Sequence, residues 1–425
     1  MAKSIVSIAK GTDPEKMVTE AFDLLGGVTS LFKPNSVVLL KPNIGHPYPA
    51  ETSVCTNPEL VAAAIKVIRK AQPREIIVTE AAATACDTVE CWNVSGIRKA
   101  AEDAGVDRLI DIKSDKDLIS VPIRNAQSEL TRVLLPRFLV EADHLVNMPV
   151  FKSHTCMIFT NALKNIKGLV QDKVHREMHQ TDLAQAMFDV WSICRMDLQI
   201  ADMIRPQEGF GPHNGLPVKF DCIVVGKDPV AVDATCCRMV GIPVERVPYF
   251  KTAKSRGLGV YSENQIEIRG KQIADVSQKM WFPYLAGFDR WPEYKFLTKT
   301  GCSNCQSLIA YTMDFLKAQD LYDKNAGMTI VCGPKQEIPE DVDPEDIVLV
   351  GNCINIKKNR GKGAFAFGCP PNEGTIARAI TTRQDTDGPQ PPRAIGSRSV
   401  ESEMARRNVM VEYQKKLKAA ESKKK

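Results

Sequence analysis

Over the first 270 residues, short apolar runs of strand length alternate with amphipathic stretches of helical period. Ser4 to Ile8 reads as a strand, and Lys16 to Leu25 as a helix closed by Gly26-Gly27. Ser36 to Leu40 predicts a buried strand that runs straight into Lys41-Pro42-Asn43. Asn57-Pro58 opens a helix over Glu59 to Lys70, with proline in the first turn, where its missing amide hydrogen costs nothing. Glu75 to Thr79 is the next strand and delivers Glu80 to its end. A helix near Val94 to Ala104 and a strand near Leu109 to Ile112 follow. Further on, His144 to Val150, Leu198 to Ala201 and Cys222 to Val225 read as strands. Helices are predicted over Asp182 to Ile193 and from Asp228-Pro229 to about Val240. This alternation predicts an α/β fold with a doubly wound, mainly parallel sheet over residues 1–270.

The pattern changes after residue 270. Residues 271–300 hold Trp281, Pro283, Trp291 and Pro292 and read as an aromatic linker. Residues 301–382 read as a smaller α/β domain, with helices over Ser307 to Gln319 and Gly374 to Ile380 and strands over Met328 to Val331 and Asp346 to Val350. Residues 383–425 turn to Asp, Gly, Pro and Gln and then to a charged helical stretch, expected as a mobile tail or interaction arm. A length of 425 residues favours more than one core. The composition, 44% apolar and 25% charged, is that of a globular protein. The net charge of +5 is located entirely in the last eleven residues, where six lysines face one glutamate. The body is formally neutral, which argues against the basic face that nucleic-acid binding needs. No apolar run approaches the roughly 18 residues required to cross a bilayer. The first ten residues are too interrupted for a signal peptide, so a cytoplasmic location is expected.

Thirteen cysteines in a reducing compartment bind metal more often than they pair. Cys302 and Cys305 form a Cys-x-x-Cys pair, and Gly351-Asn352-Cys353 and Gly368-Cys369-Pro370 supply two more thiols. Glycine just upstream lets backbone approach an inorganic centre, and the Cys-Pro ending is shared with ferredoxin-type ligand runs. Structural zinc usually draws on two Cys-x-x-Cys knuckles, whereas fifteen residues separate Cys353 from Cys369. The expected cofactor is one iron–sulfur cluster of the 4Fe–4S type on Cys302, Cys305, Cys353 and Cys369, with zinc as the alternative. Cys332 is a spare thiol that could be an extra ligand, a resolving thiol or plain packing.

In doubly wound sheets, ligands sit outside the carboxyl ends of the strands. Lys41, Asn43 and Glu80 fall there, as does Phe151-Lys152-Ser153-His154. Lys152 and His154 alternate on an extended segment and so share a face, suiting an anion clamp beside an acid/base group. A capping lysine and a hydrogen-bonded core histidine are the plainer alternative. Asn161, Lys164 and Lys167 follow in a polar segment ending at Gly168. His175 and His179 are four apart, but no carboxylate at matched spacing completes a metal pair. Gly209-x-Gly211-x-x-x-Gly215 lacks the dinucleotide spacing and reads as a turn or a lid.

Lys41-Pro42-Asn43, the Val150 to Gly168 stretch with Lys152, His154, Asn161, Lys164 and Asn165, Gly211-Pro212 with Gly215, and Asp228-Pro229-Val230-Ala231-Val232-Asp233 together resemble the domain-of-unknown-function family 362. The resemblance spans roughly residues 35–270. It implies association with iron–sulfur proteins, often through an added cluster domain, and an anaerobic setting. It implies no defined reaction.

The leading expectation is therefore an iron–sulfur oxidoreductase of anaerobic metabolism. His154 and Lys152 would be catalytic, and Lys41, Asn43, Glu80, Asn161 and Lys164 would bind a small anionic or oxygenated substrate. Electrons would come from a ferredoxin-like donor, since no flavin or nicotinamide signature is present. A non-catalytic electron-transfer or cluster-delivery module, a redox-neutral iron–sulfur lyase or hydratase, and a zinc-stabilised protein stay open. Neither nucleic acid nor membrane is an expected partner, and the tail helix could mediate self-association.

Overall fold

The computed structural model describes residues 3–84, 86–194, 196–354, 356–386 and 399–422. The chain forms two compact units. The larger runs to Phe282 and takes in the segment ending at Met404; the smaller begins at Pro283 and resumes at Ala405.

The larger unit contains β1 (Ser4–Lys10), β2 (Val37–Pro42), β3 (Glu75–Glu80), β4 (Arg108–Asp111), β5 (Leu118–Pro122), β6 (Arg132–Pro136) and β7 (His144–Met148). It continues with β8 (Val150–His154), β9 (Ile158–Thr160), β10 (Leu198–Glu208), β11 (Leu216–Pro217), β12 (Cys222–Gly226) and β13 (Ile266–Gly270). The main sheet runs in the order β13-β1-β12-β10-β7-β2-β3-β4. Neighbours are parallel except at β12, which is antiparallel to both β1 and β10. This is the mainly parallel α/β sheet expected from the alternation. Val38 and Leu40 of β2 and Ile223 and Val225 of β12 join a core with Met17, Phe22, Leu60 and Ile68 of two covering helices. Helix Pro229–Val240 packs on β1, β10 and β12 without joining that cluster, so helices cover both faces. Asp228 caps this helix by accepting from the amides of Val230 and Ala231, as its Asp-Pro start predicts.

Several expectations are corrected. The helix expected near 94–104 is two, Thr88–Ser95 and Ile97–Asp103, broken at Gly96, whose φ of 78° lies in the left-handed region. The strand expected over 144–150 is split into β7 and β8 around Pro149, which has no amide hydrogen for the ladder. The strand begun at Leu198 runs on to Glu208, where it pairs with β8 and β11. The hairpin β5–β6 was not foreseen.

The smaller unit is built on β14 (Lys295–Leu297), β15 (Thr329–Cys332), β16 (Ile347–Val350) and β17 (Ala364–Ala366), all parallel and in that order. Residues 283–300 are thus part of this unit and not a linker, because β14 supplies an edge strand. Val331, Ile347, Leu349, Phe365 and Phe367 form its core. The charged C-terminal stretch is the helix Val400–Ser422. It is docked and not free: Met410 and Gln414 are buried, and Tyr48 Oη donates to Glu403 Oε2 at 2.9 Å. Part of the expected tail, residues 387–398, lies outside the described residues. No helix among the described residues is long and apolar enough to cross a membrane.

Candidate functional site

A chain of buried polar side chains crosses the carboxyl edge of the large sheet. Lys41 ends β2 with 0% exposure, and its ammonium donates to Glu80 Oε2 at 2.6 Å, Asn165 Oδ1 at 2.9 Å and the Pro42 carbonyl at 3.2 Å. Asn165 Nδ2 donates to Asn147 Oδ1, and Asn147 Nδ2 to Gln199 Oε1, both at 2.7 Å. The register places these partners side by side, Lys41 opposite Asn147 and Asn147 opposite Gln199. An ammonium has three hydrogens, and Lys41 uses all of them within the protein. Burial pushes Glu80 up to about 7 against the opposing pull of Lys41. Lys41 and Glu80 are therefore a self-neutralising pair that positions its surroundings. Gly168 shows how closely they are packed: a β-carbon there would fall 1.7 Å from Glu80 Oε1 and 2.6 Å from Lys41 Nζ.

This network holds the segment 161–169. Asp233 accepts from the amides of Ala162 and Leu163, Trp191 Nε1 donates to the Leu163 carbonyl at 3.1 Å, and the Ala81 amide donates to the Gly168 carbonyl at 2.9 Å. With the backbone fixed, Lys164 and Lys167 project into a cationic cluster with Lys152 and His154. Lys152, 3% exposed, donates to Asn43 Oδ1 at 2.6 Å and to the Val54 carbonyl. Lys167, 6% exposed, meets His179 Nε2. Half-buried Lys164 makes no hydrogen bond or ion pair among the described residues. Burial pulls Lys152 down to about 7 and Lys164 to about 8, and holds Lys167 well below the ordinary lysine range. Burial, then the charges of Lys164 and Lys167, hold His154 well below the usual histidine range, so its ring is neutral near pH 7. Its Nδ1 is 3.7 Å from Cys156 Sγ. Lysines that hold an anion beside a neutral imidazole can bind an oxyanion and move a proton on it.

Of the expected site residues, Lys41, Asn43, Glu80, Lys152, His154 and Lys164 are thus gathered into one region. Asn161 is buried against Asp233 and Cys236, and its amide closes no hydrogen bond of good geometry there. Sequence reasoning missed Cys156, His46 and His213. His213 faces His154 and its ring centroid is 3.8 Å from that of His46. The glycine-rich loop carries His213 there, fastened by the Gly211 amide donating to Ser153 Oγ at 2.9 Å. His175 and His179 join from helix Asp172–Gln180, so five of the chain's six histidines collect at this region. That concentration of a scarce residue was the available signal.

In the smaller unit every candidate cysteine follows the carboxyl end of a parallel strand. Cys302 comes after β14 and precedes the helix Ser303–Ala318, whose first turn holds Cys305. Cys332 ends β15, Cys353 follows β16 and Cys369 follows β17. Parallel strands bring these ends to one edge. The free Cys302 thiol hydrogen-bonds with that of Cys305, which also meets Cys332, while Cys353 faces Cys302 and Cys369. Asn352 ties two of the loops, its amide donating to the Gly368 carbonyl at 2.8 Å and its Oδ1 accepting from the Gly368 amide at 2.7 Å. Gly351, at φ 98°, leaves room where a β-carbon would stand 3.4 Å from Cys305 Sγ and 3.6 Å from Cys353 Sγ. The thiols meet in pairs, and no three His, Cys, Asp or Glu groups among the described residues surround a point as ligands of a single ion.

A thylakoid-associated protein of Synechocystis sp. is 24% identical over 245 residues, covering 55% of this chain and 72% of that protein. The lactate racemase apoprotein of Thermoanaerobacterium thermosaccharolyticum aligns over 90% of this chain and 82% of its own, with 12% identity and a TM-score of 0.40. A crystal structure of a Thermotoga maritima protein aligns over 54% of this chain and 60% of that one, with 14% identity and a TM-score of 0.36. The family match ends before the expected limit of 270 and includes none of the cysteine-bearing unit. Residues 38–238, which hold the Lys41–Glu80 pair and the whole cationic cluster, match the family model described as Domain of unknown function (DUF362).

Proposed function

We propose that the chain is an iron–sulfur enzyme, an oxidoreductase acting on a small anionic or oxygenated substrate with electrons from a ferredoxin-like donor. The observation that carries this reading is the gathering of Cys302, Cys305, Cys353 and Cys369, with Cys332, at one edge of a parallel sheet. The donor set fits a cluster: all are thiols, and Gly351 keeps the space between Cys305 and Cys353 clear of side chain. A bound cluster supplies single electrons. In the larger unit Lys152, Lys164 and Lys167 bind and orient the anion. His154, engaged through Nδ1 with Cys156, keeps Nε2 for proton exchange with the ligand. Lys41 and Glu80 hold the segment that carries Lys164 and Lys167.

Protein made and purified without oxygen should contain about four iron and four acid-labile sulfide per chain and show a charge-transfer absorption band. The double variant Cys302→Ser/Cys305→Ser should lose both. Zinc at about one per chain with no sulfide would overturn the reading. A second reading, an electron carrier or cluster-delivery module, is favoured by the exposure of Cys353 and Cys369. It requires that His154→Ala leave electron transfer in a reconstituted system unchanged.

A further inference from the structure

The cationic cluster in the larger unit is out of balance. Lys41 is neutralised by Glu80, but among the described residues no carboxylate faces Lys164 or Lys167. The charged or ionisable groups that act on Lys164 are Cys156 and Lys41, and those on Lys167 are Lys164 and Cys156. Cys55 and Glu80 also act on Lys152, but burial pushes the Cys55 thiol up to about 11 and the Glu80 charge is already engaged by Lys41 at 2.6 Å. Lys113, which reaches toward His175, is paired with Asp172 at 3.0 Å and adds no demand of its own. The hydrogen-bonding capacity is likewise unspent. Lys164 uses none of its three ammonium hydrogens, Lys167 one and Lys152 two. The surrounding histidines are held neutral by burial and by these lysines, so they do not add charge.

Protonating two buried lysines and the half-buried Lys164 with no anion among them is costly, because charge taken out of water needs a partner. A monoanion would compensate one and leave the other two repelling each other. We propose that the ligand of this cluster is a compact oxyanion bearing two negative charges, a phosphate monoester or a short dicarboxylate, held between Lys164 and Lys167 on one side and Lys152 on the other. The inference rests on reading the cluster as an anion site and narrows its ligand class. Lys164 is the specificity-determining residue, being the cation with no hydrogen-bond or ion-pair partner among the described residues, while Lys152 and Lys167 are already partly anchored. Burial holds all three below the ordinary lysine range, and an arriving dianion reverses that depression.

The test is calorimetric titration of the full chain at pH 8 and fixed ionic strength with inorganic phosphate, malonate, acetate and lactate. Phosphate or malonate should bind at least about 30-fold more tightly than acetate or lactate, as expected for one further charge-assisted contact. Preference between phosphate and malonate assigns the phosphate-ester or dicarboxylate source, and either result supports the proposal. Lys164→Met should lower dianion affinity by about 10- to 100-fold and leave acetate affinity within about threefold, while Lys164→Arg retains the discrimination. Unchanged circular dichroism of the Met variant separates lost binding from lost folding. Acetate binding as tightly as malonate would overturn the dianion inference while leaving the anion site standing. If none of the four binds, the reading of the cluster as an anion site fails.

Discussion

The Lys41–Glu80 pair gives a prediction that can be worked through from geometry. Both groups are essentially inaccessible, at 0% and 1% exposure, and the ammonium is saturated by Glu80, Asn165 and the Pro42 carbonyl. In Lys41→Met the glutamate keeps the backbone amides of Ala81, at 3.0 Å from Oε1, and Ile44, and becomes a buried carboxylate without a cation. Breaking a buried pair from one side costs about 3–5 kcal/mol. Glu80→Leu should cost a similar amount, because the ammonium is left with neutral acceptors only. The double variant removes both charges and leaves Asn165 Oδ1 and the Pro42 carbonyl short of a donor, a loss of about 1–3 kcal/mol. The cycle therefore predicts a coupling of at least about 3 kcal/mol. Urea unfolding of the full chain, followed by tryptophan fluorescence with Trp92 and Trp191 buried in the same unit, measures all four corners. The reasoning is refuted if either single substitution costs less than about 1 kcal/mol, or if the two costs simply add.

Gly168→Ala should destabilise the same unit by about 1–3 kcal/mol, because the carboxylate its β-carbon meets is pinned and cannot swing away; an unchanged urea midpoint would refute this. Burial lowers Lys152 from 10.5 to about 7, so between those values the unfolded chain holds more protons and stability rises with pH. The stability of the parent relative to Lys152→Met should accordingly grow from pH 7 to pH 10, by at most about 1.4 kcal/mol per pH unit, and a flat or falling difference counts against it. Gly351→Val should abolish iron and sulfide incorporation, since its β-carbon would already touch the Cys305 and Cys353 sulfurs, its methyl groups would fill the space between them, and the φ of 98° disfavours any side chain; circular dichroism should show the fold retained.

What the sequence reveals and what it hides are divided by contact distance along the chain. Buried parallel strands are apolar on both faces, so Ser-Val-Val-Leu-Leu announces β2, and the first polar residue after it marks the edge where ligands bind. That local rule is enough to locate Lys41, Glu80, Lys152 and His154 at strand ends. It says nothing of what each one meets there. Lys41 finds Glu80 39 positions away and Asn165 124 positions away, so its saturation can be seen only after folding. The short strands β14 and β17 are three residues each, below the length at which periodicity has meaning. Without them the cysteines read as a scattered set, although all lie at or after the carboxyl ends of the four parallel strands. Lys164 is the converse of Lys41. Both are lysines at the same edge, and only the satisfied one is accounted for by the fold. The polar chain from Glu80 through Lys41, Asn165 and Asn147 to Gln199 pairs its members with one another and fixes the backbone of 161–169. The lysines which that segment carries stay uncompensated. A fold can bear such a cost where a ligand relieves it, so the demand for an anion belongs to Lys164 and Lys167 and not to the strand-end lysine that first draws the eye.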